Sequence, residues 1–160
     1  MSKIADLGDK KAVNLKDRFK NLPSILAEYD EALEEAEPYL MLKGKTLVEA
    51  NRENASRYAF YDERRVELKT LVEYIESQVQ RVRGQLFRGF TEQYNRDLSD
   101  RAKDKYIDSE QAYLDIYEIY LEVKEMYDQY SSVVEAFKLQ GYALRNITEA
   151  RVASVENATI

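Results

Sequence analysis

Residues 66–87 read V-E-L-K-T-L-V-E-Y-I-E-S-Q-V-Q-R-V-R-G-Q-L-F, and the spacing of their aliphatic side chains decides the fold. Leu68, Val72, Ile75, Val79, Val82 and Leu86 recur at alternating steps of four and three. On a helix of 3.6 residues per turn that rhythm draws one continuous seam, the pattern by which helices supercoil around a partner. The seam extends backwards through Tyr61, Tyr58, Ala55 and Val48, with no Pro or Gly inside it before Gly84. The spacing therefore predicts one long helix over about 46–87, with Gly84 and Gly89 marking a frayed end.

The rest of the chain supports helices of the same kind. Pro23 and Ser24 open a shorter helix over about 24–37, whose apolar residues Ile25, Leu26, Tyr29 and Leu33 keep helical spacing. Pro38 and Gly44 bracket a break around Met41. Residues 90–107 are polar, with Leu98 their lone aliphatic side chain before Ile107, and read as a flexible connection with room for a short helix. Asp108 and Gln111 resemble a capping box that opens a last helix over about 109–152, bending near Ser131–Ser132 or Gly141. That helix carries two apolar stripes, one through Tyr113, Tyr117, Tyr120, Tyr127, Tyr130, Val134, Phe137 and Leu144, the other through Ile116, Ile119, Val123, Met126 and Val133. Two stripes call for two partners, and one of them is expected to be another subunit. Leu68, Val72, Ile75, Val79, Tyr117, Tyr120, Tyr130 and Phe137 are the residues expected in core or subunit contacts.

The expected architecture is all-α: two long antiparallel helices and a shorter N-terminal one in an elongated bundle that assembles into a homo-oligomer. The expected organisation is a mobile basic arm over 1–22, a single helical domain over 23–156 and a frayed tail over 157–160. Only 5 Gly and 2 Pro in 160 residues speak against a turn-rich all-β chain. The longest stretch without a charge is Asn21 to Ala27, too short for a membrane span, and residues 1–20 lack the apolar core of a secretory signal. The expectation is a soluble intracellular protein.

Absences exclude whole classes of chemistry. With no His and no Cys, zinc centres of the His/Cys kind, Ser–His–Asp and Cys–His nucleophiles and disulfide scaffolds are all ruled out. Catalysis by Asp, Glu, Lys or Tyr stays open in principle, but no poised base and nucleophile stand out, so no enzyme, no metal and no cofactor are expected. Acidic pairs such as Glu34–Glu35 and Asp62–Glu63 lack any metal-loop pattern and read as solvated faces. Lys43-Gly44-Lys45-Thr46 has the ending of a phosphate loop without its upstream glycine or strand, and is set aside.

Charge is informative once divided along the chain. The formal total is −6. Residues 21–42 contribute −6 and residues 106–137 contribute −7, whereas 1–20 and 43–105 are each +3. Ser77 to Thr91 holds three arginines, Arg81, Arg83 and Arg88, and no acid, with Phe87 and Phe90 interleaved. Guanidinium groups beside rings and glycines are what grips a single strand, phosphate on cation and base on ring. Arginines at a helix end also complement its dipole and carbonyls, the plainer role for the same residues. A ring of subunits would repeat the patch into a basic collar. The tyrosines from Tyr113 to Tyr130 have the helical spacing of core or subunit contacts more than of a stacking platform.

At this window the chain resembles the UvsY recombination mediators of T4-like bacteriophages. Three stretches carry the resemblance: A-S-R-Y-A-F-Y-D-E-R-R-V-E-L-K-T-L-V (Ala55 to Val72), R-V-R-G-Q-L-F-R-G (Arg81 to Gly89) and F-K-L-Q-G-Y-A-L-R-N-I (Phe137 to Ile147). D-S-E-Q-A-Y-L-D-I, before the third, fits the start of the last helix. The resemblance implies a non-enzymatic protein that binds single-stranded DNA and forms a ring-like homo-oligomer, a hexamer or heptamer. It also implies that the protein weakens the phage single-strand binding protein on DNA and loads a RecA-like recombinase in the cytoplasm of the infected bacterium. Arg81 and Arg83 match the family's DNA-contacting basic pair, Arg88 is an addition, and Leu86–Phe87 stands where the family has two tyrosines. Gly84 replaces a larger residue, and the first 40 residues have no counterpart. The alternative is a coiled-coil structural or adaptor protein with protein partners only.

Overall fold

A computed structural model describes residues 17–93 and 98–156. Among them there is no strand, and after a helical stretch at 17–20 five helices follow one another: α1 (Leu22–Glu34), α2 (Ala36–Leu40), α3 (Leu47–Gln93), α4 (Asp100–Ile107) and α5 (Gln111–Glu156). Two of these dominate, α3 with 47 residues and α5 with 46. The all-α architecture of two long helices with shorter N-terminal ones is the one the seam implies. The described residues fall into two compact units. One takes residues 17–22, 68–93 and 98–125, the other 23–67 and 126–156. The frayed tail and most of the basic arm lie outside the described residues, while 17–20 are helical and Phe19 meets Tyr74 edge-on at 6.0 Å between centroids.

The helix boundaries differ from the expected ones for local reasons. The helix over 24–37 is two helices, because the Pro38 ring would clash with the carbonyl four residues back, that of Glu34, and has no N–H to donate to it. α1 accordingly stops at Glu34, and Pro38 sits in the first turns of α2, where its missing donor costs little. The break around 41–46 is present, with Gly44 at φ 83° making the turn. α3 then starts on a capping box that the sequence reading passed over. The Thr46 amide and hydroxyl both donate to the Glu49 carboxylate (2.9 and 2.7 Å), and the Glu49 amide donates back to the Thr46 hydroxyl. These hydrogen bonds hold the Glu49 carboxyl below the ordinary glutamate range, the Thr46 hydroxyl most strongly.

α3 runs through Gly84 and Gly89 rather than ending there, since a helical glycine lowers stability without removing a backbone hydrogen bond. The flexible connection becomes in part α4, with Ser99 as its N-cap accepting the Ala102 amide. The Asp108–Gln111 box does not form. Asp108 closes α4, its N–H donating to the Asp104 carbonyl while the Ser109 N–H donates to that of Tyr106, and the Gln111 side chain donates to Asp115 instead. α5 continues as helix past Ser131, Ser132 and Gly141, the two serine hydroxyls donating to the carbonyls of Tyr127 and Asp128.

In the first unit, Leu22, Leu68, Leu71, Ile75, Val79, Ile107 and Val123 are buried. Leu71 takes the core position where the strict seam expects Val72, which is half-buried. Tyr117 is exposed and Tyr120 half-buried. In the second unit Tyr29, Tyr61, Tyr130, Val134, Phe137 and Leu144 form an aromatic core. Tyr61 stacks on Phe137 at 5.3 Å, and Tyr29 meets Tyr130 edge-on at 5.4 Å. The buried phenols are satisfied: Tyr61 donates to the Ala32 carbonyl and Tyr130 to that of Tyr29. Burial raises the pKa of both hydroxyls. Asn54 meets Phe137 and Gln140 while Tyr61 meets Tyr130 and Phe137, so α3 and α5 run antiparallel here. Gly141 leaves room for Asn54 in that approach, because a Cβ there would stand 3.0 Å from the Asn54 side-chain oxygen and the side chain would have to shift by a few tenths of an ångström.

Candidate nucleic-acid interface

The arginine window lies on α3 within the first unit, and helical geometry splits it into two rows. Each residue advances about 100° around the axis, so Arg81 and Arg83 point about 200° apart. Arg81, Gly84 and Arg88 follow one another at steps of three and four and share one face; Arg83, Phe87 and Phe90 share another. The four residues singled out as a single-strand site therefore do not form one surface.

The first row is open. Arg81 and Arg88 are exposed, and neither forms an ion pair with a described residue; Arg88 makes only a long Nε contact, 3.4 Å, to the Gly84 carbonyl. Added Cβ atoms at Gly84 or Gly89 would find no neighbour within 4 Å. A chain of phosphates could approach the backbone closely along this face.

The second row is covered by α4. Arg83 donates to Asp104 at 2.9 Å and to Asp108 at 3.2 Å, and its guanidinium carbon lies 5.7 Å from the Tyr113 ring centroid. The hydrogen bond to Asp104, outweighing the desolvation that opposes it, and the two aspartate charges raise the Arg83 pKa further above its ordinary value. The Lys103 ammonium sits 4.9 Å over the Phe87 ring, and Tyr106 lies 5.8 Å from Phe90. The sequence reading missed these α4 residues by treating 90–107 as a connection. The signal was Ser99 followed by Asp100, an N-cap with an acid in the first turn.

Elsewhere in the unit, Tyr113, Tyr117 and Tyr120 form a ladder on α5, with centroids 5.6 and 5.8 Å apart. Leu114, Tyr117 and Leu121 are exposed there among Asp115, Glu118 and Glu122. Carboxylates crowd this face, which suits contact with protein better than with phosphate. A polar cavity of about 250 Å³ in the second unit is lined by Glu28, Tyr29, Glu63, Arg64 and Glu67. Arg64 there packs on Phe60, 3.7 Å from its centroid. No cluster of metal-ligating side chains occurs among the described residues, and no described helix is long and apolar enough to cross a membrane.

With this geometry in hand, the chain can be set beside known structures. It superposes on the crystal structure of the bacteriophage T4 recombination mediator protein UvsY with a TM-score of 0.66, over 79% of this chain and 98% of that one. The fold is UvsY-like. Sequence identity over the match is 15%, so the likeness is one of fold. No family model and no curated protein matches the sequence. Within the UvsY-like fold, the arginine window occupies the later half of the first long helix.

Proposed function

We propose that this protein is a non-enzymatic recombination mediator that binds single-stranded DNA through the arginine window of α3. The observation that carries the reading is the open row of Arg81 and Arg88 on a helix of UvsY-like fold. Arg83 and Phe87 supply the second half of the contact, phosphate on guanidinium and base on ring. In this reading the protein acts as a homo-oligomeric ring in the cytoplasm of an infected bacterium. It loosens the single-strand binding protein on DNA and loads a RecA-like recombinase. The acid-flanked face of Leu114, Tyr117 and Leu121 serves those protein contacts.

Titration of labelled single-stranded DNA at several salt concentrations tests the reading. Each neutralised phosphate on a single strand contributes roughly −0.7 to the slope of log K against log salt. Arg81→Ala/Arg88→Ala is expected to weaken binding and to flatten the slope by about 1.4 for every subunit in contact. Affinity and slope equal to those of the unmodified protein would overturn the assignment.

A further inference from the structure

We propose that α4 is an internal competitor for the single strand, seated on the Arg83–Phe87–Phe90 row and lifting when that row takes up DNA. The inference rests on the reading of the window as a single-strand site and adds how that site is held in check. α4 covers each member of the row, and at Arg83 and Phe90 it does so with the chemistry a strand would bring. Asp104 and Asp108 put carboxylate oxygens at 2.9 and 3.2 Å on two nitrogens of one guanidinium, the two-pronged contact that a phosphate makes. Lys103 lies over Phe87, and Tyr106 lies against Phe90 where a base would stack.

The polar side of the seat is shallow, although Ile107 at its end is fully buried and Lys103 keeps 13% of its side-chain surface in solvent. α4 has eight residues, below the length at which an isolated helix is stable in water, and Ile107 is its buried side chain. Arg83, Asp104 and Asp108 keep 33%, 49% and 56% of their side-chain surface in solvent. Ion pairs this exposed each hold an equilibrium by a small factor only, up to about fivefold, which several phosphates acting together exceed. Arg81 and Arg88 on the open row provide the first foothold, and the strand then competes for Arg83.

The test is binding of a labelled homopyrimidine single strand to Asp104→Asn/Asp108→Asn. Affinity is expected to rise by about fivefold at low salt, as the competitor's charge is removed. Losing two negative charges anywhere favours DNA somewhat, so Glu31→Gln/Glu34→Gln, exposed on α1, is the control and is expected to gain well under half as much. Hydrogen exchange on the unmodified protein is the second measurement, and it decides alone where the double variant loses helix. Amides of residues 100–107 are expected to exchange faster with DNA bound. A gain no larger than the control's, or α4 amides equally or better protected on DNA, would overturn the proposal. The two failures stay separate. Binding that survives Arg81→Ala/Arg88→Ala removes the single-strand site itself. Binding lost there, with Asp104→Asn/Asp108→Asn matching its control, removes only the competitor.

Discussion

Replacing Gly84 and Gly89 by alanine isolates the helical continuity of α3 from everything else the residues do. Both positions are helical, and an added Cβ at either meets nothing within 4 Å. The change is then one of backbone propensity, worth about 0.8–1.0 kcal/mol for each glycine in a helix interior. Part of that gain comes from restricting the unfolded chain, which strengthens the effect without any new contact. The two sites lie five residues apart with no shared partner, so the pair should add to about 1.5–2 kcal/mol. For a chain of this size that raises the melting temperature by about 4–8 °C. Thermal unfolding followed by far-ultraviolet circular dichroism, at one fixed protomer concentration, reads it directly. A melting temperature unchanged or lowered in both single variants would refute the reasoning, since it would require the helix to stop before Gly84 or the Cβ atoms to meet a covering surface. Single-strand affinity measured on the same variants adds a second reading. Weaker binding in a more stable protein would place DNA directly against this backbone.

Phe137→Ala empties a site that is fully buried and stacked on Tyr61, and should cost about 3–5 kcal/mol in urea unfolding with an unchanged slope; a cost below about 1 kcal/mol would mean the aromatic core does not close as described. The capping box predicts a pH dependence with a definite sign. Glu49 titrates below its unfolded value, so the unfolded chain binds more protons there, and stability rises with pH. Its contribution is complete above the ordinary glutamate value of about 4.3 and is lost as pH falls through the lowered one. Glu49→Gln keeps an acceptor but not the titration and should flatten that part of the stability curve, and a curve of unchanged shape would count against the box.

Most of the helical architecture is legible in the sequence because it rests on periodicity, which averages over many residues. The seam from Leu68 to Val79 is buried apart from Val72, where Leu71 replaces it. Strict three-and-four spacing describes a two-helix seam, while this stretch of α3 packs within a unit that also contains α4 and residues 17–22, so its buried face is broader. Single-residue signals were harder to weigh. Pro38 acted on the carbonyl of Glu34 through geometry four residues away, whereas Gly84 and Gly89 carried a small energetic cost that a 47-residue helix absorbs. The three arginines of the window were readable as a composition. Their division into two rows was not, because it depends on a 200° rotation and on α4, whose eight residues carry too little apolar pattern to stand out.

That division changes what the acidic residues are for. Asp104 and Asp108 lie on opposite sides of the boundary between the basic stretch and the acidic one that follows it, and both are spent on Arg83. Summed charge treats them as repelling DNA. In the proposed reading they are occupants of the cation that DNA would use. A bare arginine row would bind any polyanion and stay bound, whereas a row holding its own carboxylates binds only what can outbid two weak, exposed pairs with several contacts at once. A long single strand meets that condition, and a mononucleotide does not. The chain has no histidine, so no side chain ordinarily titrates between pH 5 and 8 to switch such a site by protonation. Control falls instead to salt and to competition between charges of fixed sign, and α4 places that competition inside the molecule.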